Sequence, residues 1–157
     1  MIKRLFLFFA ISIVAISCKD TRDINLTEDE TEANKVTASV DTYAKDNYTK
    51  KEVMIEMRDG IKLHTTIYSP KDTSKTYPML MMRTPYSCRP YGENEFKSKI
   101  GPNKYLMEEG NIMVYQDVRG RWNSEGVYDN MRAYIPNKTG NQVDEASDTF
   151  DTIEWLV

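Results

Sequence analysis

The sequence predicts an α/β protein in which an antiparallel hairpin leads into a parallel sheet. Two short runs of apolar/polar alternation are joined by Asp-Gly, two unbroken apolar runs flank a helical segment, and a terminal stretch repeats its apolar residues at helical spacing. At 157 residues one domain of ordinary size is the upper limit, and 40% hydrophobic with 29% charged residues is a globular composition.

In the first run Val53, Ile55 and Met57 alternate with Glu52, Met54 and Glu56, and in the second Ile61, Leu63, Thr65 and Ile67 alternate with Lys62, His64, Thr66 and Tyr68. Successive strand side chains point to opposite faces, so each run turns one face to a core. Between them Arg58-Asp59-Gly60 offers a glycine that tolerates positive φ, which predicts a hairpin. His64 falls on the polar face and reads as a surface or interface histidine. Pro70 and the polar residues to Thr76 end the unit.

Met79 to Thr84, closed by Arg83, and Ile112 to Tyr115, closed by Gln116 and Asp117, are apolar runs suited to strands buried on both faces of a parallel sheet. Tyr105, Leu106, Glu108 and Glu109 lie between them and stop at Gly110, which predicts a helix with a glycine at its end. From Asp144, an N-cap candidate, Ala146, Phe150, Ile153 and Val157 recur on one helical face, with Asp148, Asp151 and Glu154 on others. These elements would leave a sheet with an open edge at Ile112 to Tyr115 and a helix with nothing to cover. The expectation is the first part of an α/β domain rather than a whole one.

The residues before the hairpin have a different character. Lys3 and Arg4 precede the apolar run Leu5 to Ile16, about 18 Å long as a helix and too short to span a bilayer comfortably. Ser17-Cys18 follows in the manner of a bacterial lipobox, so residues 1–18 are expected to be a lipoprotein-type signal peptide with Cys18 as lipid acceptor. A plain cleaved signal and an uncleaved anchor stay open. The expected location is outside the cytoplasm, membrane-anchored, periplasmic or at the cell surface. Residues 19–47 carry Asp20, Asp23, Glu28, Asp29, Glu30 and Glu32 among few apolar residues and read as a disordered acidic tether to a folded part at 48–157.

Composition excludes several classes. A formal charge of −3 with scattered lysines gives no basic stripe for nucleic acid. Two cysteines and one histidine are too few for a Cys/His zinc site. The acidic start of the last helix lacks the alternating ligands and turn glycine of a calcium loop. No metal or cofactor is expected, and Cys88 reads as buried and inert rather than nucleophilic.

Three segments occur in order: Met57-Arg58-Asp59-Gly60-Ile61-Lys62-Leu63, then Arg83-Thr84-Pro85-Tyr86, then Gln116-Asp117-Val118-Arg119-Gly120-Arg121 with Ser124-Glu125-Gly126. This set resembles the N-terminal region of the α/β-hydrolases grouped with cocaine esterase and the X-Pro dipeptidyl-peptidases. The tail from Arg132 to Val157, with Pro136-Asn137-Lys138 and Asp148 to Val157, is most similar to the α-amino-acid ester hydrolases of that group. The resemblance implies the incomplete N-terminal part of an α/β-hydrolase fold, ending before the nucleophile elbow, and a serine hydrolase of esters or amides that is inactive in this form. An X-Pro dipeptidyl-peptidase-like enzyme and a non-catalytic surface lipoprotein binding module remain as alternatives. The implied partners are a small ester or peptide substrate and, through the lipid, a membrane. The oligomeric state stays open.

No serine in the sequence stands in the Gly-x-Ser-x-Gly context of the family's nucleophile. What the resemblance carries over is Tyr86, whose family counterpart donates its phenolic hydrogen bond to the oxyanion; the other reading is an aromatic packed at a strand end. Asp117 and Arg119 are expected to shape the loop over the site through internal ion pairs rather than to touch substrate.

Overall fold

The structure, a computed structural model, describes residues 42–157. The signal-like segment, Cys18 and the tether up to residue 41 lie outside the described residues. After a helical stretch at residues 42–47, four strands and two further helices follow in the order β1 (Tyr48–Glu56), β2 (Lys62–Pro70), β3 (Met79–Thr84), α1 (Lys104–Glu108), β4 (Ile112–Asp117) and α2 (Glu145–Leu156). The strands form one mixed sheet in the order β1-β2-β4-β3, with β3 and β4 parallel and the other pairs antiparallel.

The hairpin forms where the alternation and Asp-Gly placed it. Glu56 pairs with Lys62, the Ile61 carbonyl accepts from the Met57 N–H at 2.8 Å, and Gly60 takes the left-handed conformation at φ 83°. Glycine has no Cβ to clash there. Helix α1 is short, capped by the Asn103 side chain accepting from the Leu106 N–H, and Gly110 follows at φ 87°.

Four expectations need correction. The open edge is β3, not Ile112 to Tyr115: β4 returns inside β3 and pairs with β2 as well, which buries Met113, Val114 and Tyr115 on both faces. The run Met79 to Thr84 is accordingly not buried on both sides, and Met82 is 53% exposed. The tether boundary at residue 47 also moves, since residues 42–47 are helical, Ala44 is fully buried and Tyr43 packs against the core. That short turn stacks on Tyr48, which the alternation left outside the first strand.

The largest difference concerns α2. Its expected apolar face, Ala146, Phe150, Ile153 and Val157, is exposed, while Ser147, Asp148 and Thr152 are buried against the sheet. The sheet face beneath is itself polar. Gln116 donates to both Thr65 Oγ1 at 3.0 Å and Thr152 Oγ1 at 2.9 Å, and Arg83 donates to the Glu145 carboxylate and to Thr149 Oγ1, each at 2.9 Å. Buried polar atoms must find partners, and here a polar helix face supplies them.

The apolar core is consequently split. One cluster, Tyr48, Tyr68, Cys88, Ile100, Met107, Met113 and Tyr115, lies on the sheet face opposite α2, under the loop from 85 to 103. A smaller one, Ile55, Met57 and Leu63, lies at the α2 end of the hairpin, with Thr152 Oγ1 4.0 Å from the Met57 sulfur.

Candidate active site

The carboxyl ends of the parallel strands lie side by side, Thr84 in register with Asp117, and the Val118 N–H donates to the Thr84 carbonyl at 3.2 Å. This is the end of an α/β sheet where ligands bind. Tyr86 stands two residues past β3, its N–H donating to Thr84 Oγ1 at 3.1 Å. Tyr86 is 85% exposed. The backbone that presents it is held: the Pro85 carbonyl accepts from Arg121 Nε at 3.1 Å and from Trp122 Nε1 at 2.9 Å.

After β4 the chain makes a tight corner. Gly120 has φ 69°, and a Cβ there would collide with the backbone nitrogen of Tyr128. Arg119 points inward, 4% exposed, with Nη1 2.8 Å from Asp59 Oδ2 and Nη2 2.6 Å from Asp148 Oδ1. One guanidinium fork thus joins the hairpin turn to α2, using the donor geometry only arginine offers. Ser124 closes the corner by donating to the Asp117 carbonyl at 2.6 Å while accepting from the His64 N–H at 2.8 Å.

A buried polar cluster behind Tyr86 is the feature the sequence reading missed. Asp117 is fully buried; its carboxylate accepts from the Cys88 N–H at 2.9 Å and from the Tyr91 hydroxyl at 2.8 Å. Lys50 donates to the carbonyls of Pro90, Gly92 and Glu95 at 2.6, 2.8 and 2.9 Å and pairs with Glu52 at 2.8 Å. His64 is 5% exposed rather than a surface residue, because the loop after Tyr86 folds over the polar face of the hairpin. Its imidazole contacts two carboxylates and no serine hydroxyl, with Nε2 3.4 Å from Glu52 and Nδ1 3.6 Å from Asp117. The available signal was Lys50, Glu52 and His64 sharing one hairpin face with Tyr68, a charged set too mixed for a solvated strand.

The electrostatics follow the geometry. Burial works against the charge on His64, yet the carboxylates of Asp117 and Glu52 outweigh it and hold its pKa above the ordinary 6.5. Burial likewise opposes ionisation of Asp117, and the nearby His64 ring together with the donors Tyr91 and Cys88 overcomes it, so its pKa falls. Burial pushes the Cys88 thiol well up, helped by Asp117, which leaves a protonated and poorly nucleophilic sulfur. Among the described residues no group of His, Cys, Asp or Glu is arranged to hold a metal ion.

Comparison with known proteins bears on the family and the fold. The family model described as X-Pro dipeptidyl-peptidase (S15 family) matches residues 59–157. Cocaine esterase of Rhodococcus sp. (strain MB1 Bresler) is 31% identical over 107 residues, which is 67% of this chain and 16% of that protein. An alpha-amino acid ester hydrolase superposes on 74% of this chain and 19% of its own, at 39% identity and a TM-score of 0.58. An aminopeptidase from a marine sediment Thaumarchaeota archaeon superposes on 70% of this chain and 19% of its own, at 37% identity and a TM-score of 0.59. The mixed sheet is therefore that of α/β-hydrolase-type structures, and the chain spans less than a fifth of the length of each of these relatives.

Proposed function

The chain belongs to the X-Pro dipeptidyl-peptidase (S15) family of hydrolases, and from that premise we propose that it is the N-terminal portion of an exported serine hydrolase acting on α-amino-acid esters or acyl peptides. The observation that carries the reading is the exposed Tyr86 hydroxyl at the carboxyl end of β3, on a backbone pinned at Pro85 by Arg121 and Trp122. A phenol carried on that held backbone would donate to the negative oxygen that develops when a nucleophile attacks an ester or amide carbonyl, and one such donor lowers the barrier by about 3 kcal/mol. Asp117 and Arg119 support the site from behind, one by holding the loop that follows Tyr86, the other by locking the corner to α2.

The nucleophile, its base and the acid are assigned to residues outside these 157, which contain no Gly-x-Ser-x-Gly. The 157 residues alone are expected to show no turnover of activated or amino-acid esters above buffer. Likeness to an aminopeptidase supports a peptidase as the second reading. The deciding experiment is an assay of the complete gene product on amino-acid esters and on X-Pro peptides, with and without a serine-directed fluorophosphonate. Ester turnover abolished by the reagent supports the proposal, preference for X-Pro peptides favours the peptidase, and activity insensitive to the reagent rejects a serine nucleophile. Export and anchoring are part of the same proposal: Cys18→Ala is expected to abolish fatty-acid labelling in a bacterial host, and label persisting elsewhere would overturn it.

A further inference from the structure

Two carboxylates hold the start of the loop that follows Tyr86, Asp117 at Cys88 and Tyr91 and Glu52 at Gly92. Asp117 on β4 accepts from the Cys88 N–H and the Tyr91 hydroxyl, and Glu52 on β1 accepts from the Gly92 N–H at 2.8 Å. His64 on β2 lies between them with one ring nitrogen toward each, at 3.4 and 3.6 Å, and the Tyr91 ring stands edge-on to it at 5.2 Å. We propose that protonated His64 is a positioning residue that clamps the Tyr86 loop by bridging Glu52 and Asp117. This rests on the reading of Tyr86 as the oxyanion donor and deepens it.

The chemistry of the imidazole makes the clamp dependent on its proton. A neutral ring donates from one nitrogen only and would turn a lone pair toward the other carboxylate, whereas the imidazolium donates from both. Nδ1 has no hydrogen-bond partner within standard geometry, so its interaction with Asp117 is one of charge. The local charges need it. Lys50 and Glu52 form an ion pair, while Asp117, fully buried, has His64 as its ion-pair partner. Lys97 approaches from the loop side but lies over the Tyr115 ring at 4.0 Å, with burial drawing its pKa down, and forms no ion pair with Asp117. Tyr91 and Cys88, the remaining titratable groups against Asp117, are both pushed upward by burial and stay neutral through the range in which His64 titrates. A buried charge left without its partner is costly, so loss of the His64 proton loosens what Asp117 and Glu52 hold.

The tests use the chain with Cys18→Ser, which leaves Cys88, buried beneath the loop, as its sole thiol. Cys88 labelling by a pyridyl disulfide is compared between this protein and a His64→Gln variant, because the ratio cancels the intrinsic pH dependence of thiol chemistry. The variant is expected to label on the order of tenfold faster at about pH 6, the ratio falling toward one at about pH 9. A ratio of one at the lower pH, or one that does not change with pH, overturns the clamp. Should His64→Gln fail to fold, the unsubstituted ring decides: it is the only histidine, so its nitrogen resonances are unambiguous. Its midpoint is expected above 6.5, with the Cys88 and Gly92 amides titrating at the same midpoint. A lower midpoint, or amides that do not follow it, overturns the proposal. In the complete enzyme His64→Gln is expected to lower kcat with little change in KM, since it misplaces a donor used in the transition state. Tyr86→Phe separates the two readings. Wild-type turnover in that variant removes the oxyanion assignment, while Cys88 labelling and the His64 titration, neither of which involves Tyr86, decide the clamp.

Discussion

Tyr86 and His64 show how little of a residue's role is decided by its type. Both are aromatic rings with a polar atom in neighbouring segments, yet one is 85% exposed and the other 5%. For Tyr86 the consequence is a clean substitution: Tyr86→Phe keeps the ring and loses only a solvated hydroxyl, so the melting temperature is expected to stay put. In the complete enzyme kcat is expected to fall by roughly 10²- to 10³-fold with KM nearly unchanged. Wild-type kcat in a folded variant would remove the assignment. For the buried cluster the prediction concerns stability against pH. His64 has a folded pKa above 6.5, so its contribution is fully present below that value and is lost as pH rises through the folded pKa. Asp117 and Glu52 are lowered from 3.8 and 4.5, so theirs is present above those values and drains as pH falls through the folded pKa. Urea midpoints are therefore expected to peak between the two limbs, and His64→Gln to flatten the alkaline limb alone.

The helices and strands carry a second lesson, that periodicity locates an element better than it orients one. Asp144 was legible as an N-cap, and it forms a capping box with Ser147: each side chain accepts from the other's backbone N–H, at 2.9 and 2.8 Å. Asp144 also accepts from the Ile135 N–H and pairs with Lys138 at 2.7 Å, tying the preceding loop to the helix start. Asp144→Ala is expected to cost about 1–2 kcal/mol by chemical denaturation, and recovery of most of it by Asp144→Asn would identify the cap rather than the charge as the cause. Which face α2 buries was not legible. Its apolar stripe is the exposed one, because the partner face on the sheet carries Arg83, Gln116 and Thr65 and selects the polar side. The same limit applies to β3 and β4: each begins with an unbroken apolar run, Met79 to Met82 and Ile112 to Tyr115, and an apolar run does not say which strand is central.

At the scale of the whole molecule the sheet, the hairpin turn and α2 are joined through arginines rather than through one continuous apolar core. Arg58 pairs with Asp151 at 2.6 Å near the surface, and Arg119 joins Asp59 and Asp148 in the interior. Arg119→Ala leaves Asp148, 1% exposed, without its bidentate partner, and is expected to destabilise the fold by about 3–5 kcal/mol. Arg58→Ala, at a more exposed pair, is expected to cost far less, and equal urea midpoints for the two variants would count against this division of labour. The amino-acid sequence by itself determined the hairpin and its turn, the strand–helix–strand unit, the cap of the last helix and the family, since each is written in neighbouring residues or in an ordered set of short motifs. Only the tertiary structure decided that β4 lies between β2 and β3, that α2 docks through its polar face, and that Lys50, Glu52, His64, Cys88, Tyr91 and Asp117 meet behind Tyr86. Those depend on pairings between residues 12 to 95 positions apart, where the deciding quantity is whether each buried charge and donor finds a partner. No local pattern records that.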